Sequence, residues 1–129
     1  MTDHGNRTAI YARAATQGQD APNAALDRQI ATCMDYCTAH GHAVVDRYLD
    51  AGYSGNTDRR PALQRLLQDA EARVIDPVIV ATLDRLARSP RVVDAIVQRL
   101  EQYGISLVAV DEAINTATAE GRAMVRVLA

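Results

Sequence analysis

The sequence predicts an α/β fold: a three-layer, mostly parallel sheet of four to five strands with helices on both faces. Three observations carry that expectation. Short β-prone apolar runs alternate with amphipathic helical segments along the whole chain, the pattern of βαβ crossovers. The run Pro77 to Ala81 is continuously apolar between turn signals, as suits a strand buried on both faces. Five Tyr stand beside no Phe and no Trp, so the core must be aliphatic, built from Leu, Ile, Val, Ala and Met. At 129 residues, without a repeat, a low-complexity tract or an internal linker, a single domain is expected.

Thr8 to Arg13 reads as the first strand, opening into the small and polar stretch Ala14 to Asp20. From about Asn23 to Ala39, Leu26, Ile30, Cys33, Met34 and Cys37 recur at spacings of three and four, an amphipathic helix with Gly41 as its stop. Ala43 to Leu49 reads as a second strand. Asp50 to Arg60, with Gly52, Ser54, Gly55, Asn56 and Asp58, is the longest loop. Pro61 suits a first helical turn, and Leu63, Leu66 and Leu67 carry that helix to about Arg73. Pro77 to Ala81 is the central strand. After Thr82 to Pro90 comes a helix bearing Val93, Ile96, Val97 and Leu100, closed by Gly104, then the strand Ile105 to Val110. A last helix starts at about Thr118 and runs to Ala129. Ligands of such sheets sit beyond the carboxyl ends of the strands, so the loops after Arg13, Leu49 and Ala81 are expected to gather at one edge.

No apolar run approaches the roughly 20 residues of a membrane span, and the polar start Met1 to Arg7 lacks the apolar middle of a signal peptide, so a cytoplasmic protein is expected. A net charge of −2 exerts no general pull on phosphate backbones, and any DNA contact must use a local cluster. Cys33 and Cys37, four apart on a helix, point into its apolar stripe, where a disulfide would be strained. Joined to His40 and His42 they match none of the usual zinc spacings, so they read as reduced core cysteines and no metal is expected.

The three strand-end loops supply Arg13, Arg59, Arg60, Arg85 and Arg88 with Asp84, Ser54 and Thr16. A guanidinium is a planar fork of donors that matches phosphate oxygens, so several of them at one sheet edge suit a phosphodiester whose charge grows in the transition state. No Walker-type glycine loop and no carboxylate pair of metal-binding spacing accompanies them, so the arginines would do what magnesium does elsewhere, without a cofactor. Each piece alone has a plainer reading. Asp84, Arg85 and Arg88 suit a solvated, self-paired helix face, Arg59 and Arg60 ordinary loop charges, Ser54 a turn, and Arg13 a structural ion pair. Their combination at three strand ends is what points to a site.

The order Tyr11-Ala-Arg13-Ala-Ala15-Thr16, then Gln29, Gly52-Tyr-Ser54-Gly, Asp58-Arg59-Arg60-Pro61 and Leu83-Asp84-Arg85-Leu86-Ala87-Arg88-Ser89 resembles the catalytic domain of the serine site-specific recombinases, the resolvases and invertases, over nearly the whole chain. Ile114-Asn-Thr116 followed by Gly121-Arg122 resembles that family's approach to its long dimerisation helix. The resemblance implies a resolvase-like fold and a serine hydroxyl that attacks a DNA phosphodiester, forming a 5′-phosphoserine link and releasing a 3′-hydroxyl. Carried over by position, Arg13, Arg85 and Arg88 would bind the scissile phosphate, with Arg59 adding to them. Asp84 would orient the arginines or protonate the leaving oxygen, and Gln29 and Ser54 would support the loops. It implies DNA as partner, a homodimer or tetramer in the full-length protein, a bacterial or phage source, and a domain over residues 1–129 that stops at the start of the dimerisation helix without a DNA-binding domain.

At the nucleophile's position the chain reads Ala15, and a methyl group cannot attack phosphorus, so the chain is expected to be inactive as written. Thr16 is no substitute, because neighbours in an extended segment point opposite ways. Retention of the other motif residues fits a deliberate serine-to-alanine change, whereas Ala14, where the family usually has a larger apolar residue, fits drift. Two other readings stay open: a non-catalytic assembly or regulatory module of the same fold, and a small-molecule phosphate-binding α/β protein.

Overall fold

The computed structural model of the chain describes residues 7–14, 21–51 and 60–128. Five strands, β1 (Thr8–Ala14), β2 (Val44–Ala51), β3 (Val78–Val80), β4 (Leu107–Ala109) and β5 (Ile114–Asn115), form one sheet in the order β2-β1-β3-β4-β5. The first four are parallel and β5 returns antiparallel to β4, so the expected mostly parallel sheet is present.

Strand side chains alternate between faces, and the burial clusters follow that alternation. Ile10, Ile79 and Val108 pack on one face with Cys33 and Cys37 of α1 (Ala21–His40), and Ala12 and Ala14 with its Leu26. Ala9, Tyr11, Val78, Val80, Leu107 and Ala109 face the other way. There they meet Leu63, Leu66 and Leu67 of α2 (Pro61–Glu71), Leu83 and Leu86 of the one-turn α3 (Leu83–Leu86), Val93 and Leu100 of α4 (Pro90–Gln102), and Val125 of α5 (Ala119–Leu128). Helices therefore cover both faces. The first crossover steps from β1 outward to β2, and the next steps back past β1 to β3. With right-handed connections the two steps must put their helices on opposite faces.

The helix ends follow local rules. α1 closes on Gly41 at φ 72° with the His42 amide donating to Cys37 O at 2.9 Å, and α4 closes on Gly104 at φ 77° with Ile105 N donating to Leu100 O at 2.9 Å. Both are left-handed residues that return the chain to satisfy a helix carbonyl. At α5, the Thr118 hydroxyl accepts from Gly121 N at 2.9 Å, so the last helix begins where Thr118 predicts.

Three expectations need correcting. Asp50 and Ala51 are not loop: they pair with Arg13 and Ala14 in β2, because β1 runs on far enough to hold them. Met34 is not in the buried stripe. It stays 39% exposed because the buried line runs through Leu26, Gln29, Cys33 and Cys37, and the next residue along turns about a quarter-circle away. The stretch Thr82 to Pro90 is not all connection, since it holds α3 and the first residue of α4.

Gly121 is the tightest joint: a Cβ there would lie 1.8 Å from the Asn115 carbonyl oxygen, so only glycine lets α5 dock on β5. Gly121→Ala should cost about 1–3 kcal/mol of stability through forced displacement. Gly41→Ala, with open space but a left-handed backbone, should cost about 1 kcal/mol; urea denaturation of both variants gives the comparison. Burial pushes the Cys33 thiol from 9.0 up to about 12. The unfolded chain therefore releases that proton first, and stability present below pH 9.0 should decline as pH rises toward 12. Cys33→Ala should flatten the alkaline limb of a stability–pH curve.

Candidate active site

The sheet order makes the carboxyl ends of β1 and β3 a topological switch point, because the crossovers leave β1 and enter β3 on opposite faces. β3 is short and pairs with β1 only at Ala9 and Ile10, so the β1 edge beyond them has no ladder partner on that side. Gln29 of α1 fills the gap. Its carboxamide oxygen accepts from Arg13 N at 3.0 Å and its amide donates to Arg13 O at 2.8 Å, as a neighbouring strand would. Arg13 is thereby held at the open end of β1, on the same strand face as Tyr11.

Arg13 is 2% exposed and reaches across to α3, donating from Nε to Arg85 O at 3.2 Å and from Nη2 to Asp84 O at 2.8 Å. Arg60, wholly buried, donates to Arg85 O at 3.0 Å, to Leu86 O, and to the Tyr11 hydroxyl at 3.1 Å. A one-turn helix leaves all but its first carbonyl without internal partners, and two guanidinium groups supply what a longer helix would have provided itself. Arg85 returns the contact, donating to Arg13 O at 3.3 Å. The Asp84 carboxylate accepts from the Thr82 hydroxyl and lies 3.9 Å from Arg85 Nε, largely in solvent. Arg88 is exposed on the same edge.

A buried carboxylate organises the far side. Asp50, at the end of β2 opposite Arg13, accepts from Ala62 N at 2.9 Å and Leu63 N at 3.0 Å, capping α2 from another element. It also accepts from the Tyr11 hydroxyl at 2.8 Å. Arg60 precedes Pro61, so the capped helix start fixes where its guanidinium begins. Burial drives the Tyr11 hydroxyl well above its ordinary range, with Asp50 adding to the rise, so it stays protonated and continues to donate.

Positive charges are gathered around Arg13. Arg13 is pushed below its ordinary value by burial first, then by the charges of Arg60, Arg85 and Arg88. Three guanidinium groups thus act on a fourth, Arg13, at the switch point of a chain whose net charge is −2.

Of the site residues expected from sequence, Arg13, Gln29, Asp84, Arg85 and Arg88 are brought together here. Ala15, Ser54 and Arg59 lie outside the described residues. Arg60, read from sequence as one of the loop arginines, is buried in the site beside Arg13. Tyr11 and Asp50 were missed. Tyr11 had a signal, since it stands two residues before Arg13 and must share its strand face.

Residues 8–129 match the family described as Resolvase, N terminal domain. The chain belongs to that family. The fold is that of serine recombinase catalytic domains: the structure aligns with the N-terminal catalytic domain of TP901-1 integrase at a TM-score of 0.85 and 38% identity, covering 94% of this chain and 90% of that one. Among curated relatives, this resolvase-family chain is 40% identical over 80 residues to a putative DNA recombinase of Bacillus subtilis (strain 168), covering 62% of this chain. It is 24% identical over 103 residues to the Tn917 resolvase of Enterococcus faecalis, covering 80% of this chain. It spans 15% and 53% of those two relatives' lengths.

Within this resolvase-family site, Asp50→Ala would strand two buried backbone donors and the Tyr11 hydroxyl. A loss of about 2–4 kcal/mol is expected in urea denaturation, against well under 1 kcal/mol for Asp69→Ala at the more open Tyr48 contact.

Proposed function

We propose that this chain is the catalytic domain of a serine DNA recombinase that lacks its nucleophile, and that it holds a DNA backbone phosphate without cutting it. The observation that carries the reading is the convergence of Arg13, Arg60, Arg85 and Arg88 at the switch point of a sheet whose family is that of the resolvase N-terminal domain. Buried positive charge surrounded by protein acts more strongly on a phosphate than the same charge in water.

The two buried arginines and the two more accessible ones have different parts in this reading. Arg85 and Arg88 meet the scissile phosphate, with Arg59 of the preceding loop adding to them. Arg13 and Arg60 hold the α3 carbonyls and add their field from behind. Gln29 keeps Arg13 in register, Ser54 supports its loop, and Asp84, solvated and beside Arg85, orients that guanidinium or protonates the leaving oxygen. With serine at position 15, attack of its oxygen on phosphorus would break the bond to the 3′ oxygen, which leaves with a proton as a 3′-hydroxyl. With Ala15 no bond forms, and the site is left with binding alone. A homodimer or tetramer would bring two or more such sites to one DNA. The outward Met124 and Val127 of α5, 43% and 75% exposed, are an apolar face suited to that assembly.

The test is Ala15→Ser, made in the chain or in the longer protein that carries it and presented with its DNA site. A covalent protein–DNA adduct that survives denaturant is expected, with none from the Ala15 form. Adding Arg85→Ala to the serine variant should slow adduct formation about 100- to 1,000-fold. A folded, DNA-bound serine variant that yields no adduct would overturn the reading.

A further inference from the structure

The switch point opens into a crevice of about 280 Å³ between the first turns of α1 and the carboxyl ends of β3 and β4, lined by Arg28, Gln29, Thr32, Thr82, Arg85 and Asp111 among others. Arg85 belongs to the site described above. Arg28 does not: it projects from α1, one residue before the Gln29 that clamps Arg13, and has no hydrogen-bond or ion-pair partner among the described residues. The spacing of Arg28 and Thr32 puts both on one line of the helix surface, and Thr82 supplies a second hydroxyl from the opposite wall.

We infer that this crevice is a second phosphate subsite, in which Arg28 and Arg85 hold the DNA backbone phosphate next to the scissile one. The inference rests on the functional reading above and extends it to a residue that no motif marks. Three features select the occupant. The volume of about 280 Å³ has room for a phosphate with its sugar. Two guanidinium groups and the Thr32 hydroxyl are phosphate donors, while the Thr82 hydroxyl is already given to Asp84. Arg85 is common to the crevice and the arginine cluster, so consecutive phosphates of one strand can occupy both. Asp111 at the same rim works against an anion and supplies a test of sign.

The experiment is salt-dependent binding of a fluorescein-labelled duplex to the full protein, read by fluorescence anisotropy. Arg28→Ala should weaken binding roughly three- to tenfold at low salt, equally for unrelated sequences, and reduce the slope of log K against log salt by about 0.9. Arg28→Lys should keep the slope, and Asp111→Asn should tighten binding roughly twofold or more. Arg99→Ala, which removes an equal charge near the end of α4, is the control and should change little. Arg28→Ala behaving like Arg99→Ala, or Asp111→Asn failing to tighten, overturns the subsite while leaving the functional reading intact. Absence of salt-dependent binding by the unaltered protein overturns both. Inorganic phosphate added at constant ionic strength should not displace the duplex at millimolar levels; if it does, the crevice takes free phosphate and the assignment to DNA falls.

Discussion

The Asp50 carboxylate is the constraint on which the site depends. It is 2% exposed, yet it accepts the first amides of α2 and the Tyr11 hydroxyl, so three elements share one buried charge. Each acceptor contact to an ionised group is worth more than a neutral hydrogen bond, and a helix N-terminus favours negative charge. The carboxylate therefore pins the start of α2 to the end of β2 and to β1. Arg60 follows from that placement, because it sits immediately before the capped turn and reaches α3 only from there.

α3 depends on its neighbours in turn. Four residues of helix cannot persist on their own, since nucleation is costly and only the Leu83 carbonyl finds a partner within the turn, the Ala87 amide at 3.5 Å. Its carbonyls are taken by Arg13 and Arg60, and the amide of Leu83 donates to the Glu112 carboxylate at 2.8 Å. The turn that carries Asp84, Arg85 and Arg88 is thus held from β1, from the start of α2 and from the β4–β5 turn together. Charge at this edge is concentrated by the fold rather than by composition, which is why a chain with net charge −2 can gather four arginines at one sheet edge.

How much of this was legible in the sequence depends on the range of the interaction. The strands and long helices follow from periodicity, which one residue in two or in 3.6 writes into the chain, and Gly41 and Gly104 mark helix ends by a local backbone requirement. Arg13, Arg85 and Arg88 were visible as a motif at strand ends. Asp50 was not, because in a stretch of Asp, Ala, Gly and Ser it looks like turn chemistry, and only pairing with β1 buries it. β5 is two residues long and defined by its partner β4, so no local pattern reports it. The burial of Arg60 could not be read locally either: in sequence it is one more loop arginine, and only its place against the capped start of α2 carries it inward.

Buried arginine is expensive, and Arg13 and Arg60 lie among like charges, so electrostatic cost works against keeping them. Their hydrogen bonds oppose that cost. Replacing either side chain with an apolar one would relieve repulsion but strand the carbonyls of Asp84, Arg85 and Leu86 in a partly buried turn. Lysine would keep the charge without the planar fork that serves two acceptors at once. The two buried guanidinium groups are therefore fixed by the structural demand of α3 itself, and positive charge stays gathered at the switch point for that reason alone.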